Sequence, residues 1–152
     1  MNFPNKVTMW ISRILVFFVI AALVALLFTI PMITDHYIEH FSRIASPEAL
    51  RTPTVIFLYI ALIPAFTASF ALAAFLSNIA KDRLFVRRNV TSMRIIYLSC
   101  FAECAIFFAF GFFYILSFVL SFAALFIGVM LRIVMNLLDR AVEIKNENDY
   151  TI

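Results

Sequence analysis

Charge is scarce in this chain, and glycine scarcer still. Only 14% of its 152 residues are Asp, Glu, Lys or Arg, where a soluble domain carries roughly 25%. Two glycines leave little of the chain free to act as flexible loop. Cysteine is confined to Cys100 and Cys104, four residues apart inside an apolar run. On one helix face they would strain a disulfide, so they read as small packing residues. Nor does any set of nucleophile, base and orienting group assemble within the apolar runs. The shortness of the chain leaves one domain and no room for a soluble catalytic domain beside it. No catalytic residue, cofactor or metal site is therefore expected, and the chain reads as a non-enzyme.

What is present is hydrocarbon. Apolar residues make up 64% of the sequence, 19 of them phenylalanine, and the mean hydropathy is +1.02. A membrane-crossing helix needs roughly 20 predominantly apolar residues. Residues 10–32 satisfy this, with Arg13 close enough to the end to snorkel. The run exceeds the ~7–15 apolar residues of a secretory signal, and Thr29-Ile30-Pro31-Met32 makes a poor cleavage site. Pro31 is expected to break it, leaving a polar external segment from Asp35 to Thr52. Residues 54–80 form a second run, with a kink expected at Pro64 because neighbouring helices can satisfy the carbonyl a proline frees.

From Ile95 to Leu131, 37 residues carry one charge, Glu103. A single helix of that length would be roughly 56 Å long, against a hydrocarbon core of ~30 Å. Tilting cannot absorb the excess. Two antiparallel spans, 94–113 and 118–138, with a turn near Tyr114 to Ser117, solve the problem. Residues 139–152 follow as a tail that prolongs the fourth helix by about two turns before an Asn/Asp cluster. The expected fold is all-α: an integral membrane four-helix bundle, the fourth helix extended into the cytoplasm.

Charge sets the orientation. Ten of the 12 basic residues, Lys6, Arg13, Lys81, Arg83, Arg87, Arg88, Arg94, Arg132, Arg140 and Lys145, fall at the termini or in the gap before the third span. The gap between the first two spans holds only Arg43 and Arg51. Cytoplasmic loops carry the Lys/Arg excess, so both termini are expected in the cytoplasm, with the chain in the cell membrane.

Inside the spans, Ala61, Ala65, Ser69, Ala73 and Ser77 recur every fourth residue. Small residues let transmembrane backbones approach, so this ridge is a helix contact, within the chain or between copies in a homo-oligomer. Glu103 falls near mid-membrane, where ionisable residues are costly and mark functional-site candidates. Ser69 and Arg132 are its candidate polar contacts; a sensing or transport role is the alternative. His36 to His40 formally spells H-x-x-E-H, a zinc-protease pattern, but without the third ligand or soluble fold such a site needs. It reads as a polar helix end. The polybasic gap suits anionic lipid or an acidic protein. Held against a bilayer that shares the negative charge of nucleic acid, it does not suit direct nucleic-acid reading.

Two segments carry a family resemblance. The stretch LFVRRNVTSMRII is similar to the F-x-x-x-N-V-x-x-(L/M)-R pattern of the YoaS-like bacterial membrane proteins, domain of unknown function 2975. The ending AVEIKNENDYTI resembles that family's G-V-x-L-K-x-E-N-D-L-T-I terminus. Matching positions are Phe85, Asn89, Val90, Met93 and Arg94, then Val142, Lys145, Glu147, Asn148, Asp149, Thr151 and Ile152. Departures are Ala141 for glycine, Asn146 for an acidic residue and Tyr150 for leucine. The resemblance implies four spans, no established enzyme activity, and a genetic neighbour encoding a small helix-turn-helix regulator. The candidate docking residues for such a partner are Phe85, Arg87, Arg88, Asn89, Arg94, Glu147, Asn148, Asp149, Thr151 and Ile152. The competing expectation is a small oligomeric transporter, channel or accessory subunit of a membrane complex that uses Glu103.

Overall fold

The structure, a computed structural model, describes residues 3–41 and 47–150. They form four helices: α1 (Phe3–Phe41), α2 (Pro47–Ile79), α3 (Arg87–Gly111) and α4 (Leu116–Tyr150). There is no strand among the described residues. All four are long and apolar enough to cross a bilayer. In hydrocarbon, water cannot satisfy the backbone, and a helix pairs its own N–H and C=O groups.

Pro31 does not end α1. The helix continues through it for a further ten residues, and Asp35 and His36 lie within it. Likewise α2 starts at Pro47 and runs unbroken through Pro53 and Pro64. Most of the polar segment expected between the spans is therefore helical. A proline at 31 has no N–H to offer the carbonyl of Leu27, one turn back. The Tyr59 hydroxyl of α2 takes that place, donating to the Leu27 carbonyl at 2.9 Å. Eight residues further along each helix in opposite directions, the Arg51 guanidinium grips the Asp35 carboxylate through two bonds of 2.5 and 3.1 Å. Together these bonds fix the antiparallel register of α1 against α2.

The α3–α4 hairpin turns at residues 112–115, two residues before the position expected. Its turn is built from backbone bonds back to Phe110, from Phe113 at 3.0 Å and Tyr114 at 3.1 Å. Both glycines serve this hairpin. A Cβ on Gly111 would lie 2.7 Å from the Phe118 ring, and one on Gly128 would lie 2.8 Å from the Phe101 ring. Between them, the Ser121 hydroxyl donates across to the Cys104 carbonyl at 2.8 Å. Cys100 and Cys104 are free thiols on this seam.

Close backbone approach joins α1 to α2, α2 to α3 and α3 to α4, and no other pair of these helices. The bundle is therefore open between α1 and α4. Its main apolar cluster, Ala71, Val90, Met93, Ile96, Met135 and Val142, draws on α2, α3 and α4 only. On α2, Ala61 and Ser69 of the small-residue ridge are buried, and Ala65, Ala73 and Ser77 are half-buried.

One cycle of substitutions tests the proline bond. Tyr59→Phe leaves the Leu27 carbonyl without a partner and should cost about 1–3 kcal/mol in reversible unfolding. In a Pro31→Ala background the backbone recovers its own bond, and the same change should cost little.

Candidate functional site

The α2–α3 connection is short, polar and tightly tied. Leaving α2, Asp82 takes a left-handed conformation, φ 56°. The Asp82 N–H reaches the Ile79 carbonyl at 2.9 Å and the Arg83 N–H the Asn78 carbonyl at 3.1 Å. This is the Schellman closure of a helix end, with aspartate at the position glycine usually holds. The chain then passes beneath Asn89, in the first turn of α3. Asn89 is fully buried. Its side-chain amide donates to the carbonyls of Arg83 and Leu84, each at 2.8 Å, and its oxygen accepts from the Asn78 amide at 2.8 Å. Three bonds from one side chain thus bind the loop to both helices it connects.

Asn89 was expected among the docking residues; the structure buries it completely and commits its amide to the loop. Val90, Met93 and Val142, other matching positions of the two sequence motifs, are also interior, packed in the α2–α4 cluster. Burial of Val142 keeps α4 docked beyond residue 138, within the stretch expected to prolong the fourth helix by about two turns. The helix also runs through the Asn/Asp cluster to Tyr150.

The outward residues are different. Phe85, Arg87, Arg88 and Arg94 are exposed beside Lys81 and Arg83. Arg87 forms an ion pair with Asp139 of α4. At this exposure the pair contributes little stability, yet it sets the guanidinium against the α4 extension. Glu143, Ile144, Lys145, Asn146 and Glu147 are exposed along that extension. One end of the bundle therefore presents an arginine-rich loop next to a projecting helix of mixed charge. The side chains of Asn148 and Asp149, and all of Thr151 and Ile152, lie outside the described residues.

Glu103, Ser69 and Arg132 are not brought together. The Ser69 hydroxyl donates to the Ala65 carbonyl of its own helix at 2.8 Å. No ion pair joins Glu103 and Arg132 among the described residues. Glu103 is half-buried, and its Oε2 is enclosed without a hydrogen-bond partner. Depth along the membrane had suggested the trio; the rotation of each helix decides otherwise. At the other end of the spans, the His40 side chain lies outside the described part, and no group of three potential metal ligands converges among the described residues.

Sequence reasoning missed the Tyr59–Leu27, Arg51–Asp35 and Arg87–Asp139 links. Pro31 was the available signal for the first, since its missing N–H leaves a known carbonyl in search of a donor.

Four helices long and apolar enough to cross a bilayer define a multi-pass membrane protein. Residues 39–152 match the model of the family described as Protein of unknown function (DUF2975), and the chain belongs to that family. No curated protein and no solved structure matches the chain. The match begins near the end of α1 and covers the whole α2–α4 unit, with its clamped loop.

The clamp is testable. Asn89→Ala strands two loop carbonyls and the Asn78 amide, while Asn89→Asp keeps an acceptor for Asn78 but sets a carboxylate oxygen against the two carbonyls, so each should cost at least about 2 kcal/mol. Tryptic cleavage after Lys81 and Arg83 should accelerate in both variants.

Proposed function

We propose that this is a non-enzymatic membrane anchor for a small cytoplasmic helix-turn-helix transcription regulator. In this reading the basic end faces the cytoplasm, both termini lie there, and the chain resides in the cell membrane. The 10-to-2 partition of basic residues supports that orientation, because cytoplasmic loops carry the Lys/Arg excess.

The observation that carries the proposal is the Asn89 clamp. It holds a loop of exposed Phe85, Arg87 and Arg88 in one shape, where a merely topogenic loop needs charge but no fixed form. A rigid loop loses less conformational entropy on binding. Its arginines select an acidic face, and exposed Phe85 supplies an apolar anchor of the kind that dominates interfaces. A regulator held by its acidic face is either kept from DNA or released when the membrane end changes shape. Family membership supports the reading through the regulator genes that accompany such proteins.

Co-purification with a small helix-turn-helix protein of the kind encoded beside family members tests the proposal. The double variant Arg88→Glu, Arg94→Glu and a deletion of residues 147–152 should each reduce capture at least tenfold, with membrane insertion intact. Undiminished capture in both would discard the docking role.

A second reading rests on Glu103. A carboxylate oxygen enclosed in a span without a partner suits an ion or proton step in an oligomeric transporter or channel. That reading expects flux in proteoliposomes that Glu103→Gln abolishes. Absence of flux with the unaltered protein removes it.

A further inference from the structure

At the end of the bundle away from the arginine-rich loop, α1 and α4 stand apart, and a cavity of about 200 Å³ lies among all four helices. Its walls are chiefly apolar, with Phe107, Phe110 and Tyr114 supplying aromatic rings. No charged side chain lines it. Four hydroxyl side chains do: Thr34 of α1, Thr54 of α2, Tyr114 of the α3–α4 turn and Ser117 of α4. Each is at least nine-tenths buried.

The hydroxyls are not equivalent. Thr54 shares a 3.2 Å hydrogen bond with the Tyr114 hydroxyl. Thr34 is 1% exposed, and its Oγ1 has no hydrogen-bond partner. A threonine inside a helix ordinarily bonds back to the carbonyl four residues earlier. Thr29 does so to Ala25 at 3.1 Å, and Thr67 to Ile63 at 2.8 Å. Thr34, which lines the cavity, does not. Leaving a buried hydroxyl unpaired costs free energy comparable to a lost hydrogen bond, and a bound hydroxyl would recover it.

We infer that this cavity binds a small neutral amphiphile of the phenol class, with its rings against Phe107 and Phe110 and its hydroxyl bonded to Thr34 Oγ1. Size sets the upper limit. An apolar cavity of ~150 Å³ accommodates benzene, so 200 Å³ takes one ring with a short substituent or two fused rings. Charge is excluded, because an ion here would be desolvated with nothing to pair it. Aromatic walls favour an aromatic guest through edge and face contacts. The cavity is not sealed from its surroundings, so molecules that concentrate in hydrocarbon can reach it.

Binding of 2-naphthol and of naphthalene to the protein in lipid nanodiscs, compared with empty nanodiscs, tests the inference. One saturable site per chain is expected for 2-naphthol. Thr34→Val, which keeps the side-chain shape, should weaken 2-naphthol about three- to tenfold and leave naphthalene unchanged. Ser117→Leu, which fills the space, should remove saturable binding of both; Ser117→Val serves if the larger change prevents folding. Signal no greater than in empty nanodiscs would overturn the site. So would 2-naphthol binding indifferent to both Thr34→Val and the filling variant. Equal losses of both probes in Thr34→Val would overturn the hydroxyl contact.

Discussion

A peptide group inside a bilayer has no solvent to bond to, and the rest of this molecule follows from that. Regular helix meets the demand over most of the chain. Where the helix is interrupted or ends, side chains complete the accounting. Tyr59 takes the carbonyl that Pro31 releases, and Asn89 takes two carbonyls of the α2–α3 loop. Ser121 adds a bond across the α3–α4 hairpin. These are polar contacts in an apolar chain, and each also aligns two neighbouring helices. Their value lies less in net stability than in register, because apolar surface gains little by moving from lipid to another helix.

The two ends of the bundle are organised on different terms. At the basic end, burial continues beyond the apolar spans: Val142 packs on Val90 and Met93, and the loop is clamped from below. Rigidity there leaves arginines exposed on a defined frame. At the opposite end, an Arg51–Asp35 pair ties α1 to α2, while α1 and α4 both line an aromatic-walled space without close backbone approach. One end presents exposed basic side chains, and the other encloses an apolar space. This arrangement suits a protein that meets different classes of molecule on its two sides.

Much of the fold was legible in the sequence. Four spans followed from length alone, since 37 nearly uncharged residues cannot fit one crossing, and the observed turn falls two residues from the place expected. The helix ends were less legible, because apolarity marks where a chain enters lipid and not where its hydrogen bonding stops. Hence α1 passes through Pro31 and α4 through its Asn/Asp cluster. The candidate site was partly legible. Residue type identified the basic loop, but motif matching could not separate exposed Arg88 from buried Asn89, since the same run of letters contains both. Glu103 shows the same limit: its depth could be counted, but its rotational position depends on how three helices pack.

The helices touch in the order in which they are synthesised, each against its immediate predecessor. A hairpin emerging into the membrane therefore finds its partner already there, and no early segment has to wait exposed for a distant one. Insertion can run as a series of local pairings, with little opportunity for mispairing. The cavity's walls are complete by Leu120, whereas the α2–α4 cluster waits for Met135 and Val142, so a product truncated between them would keep the cavity's residues and lack the closing half of the cluster.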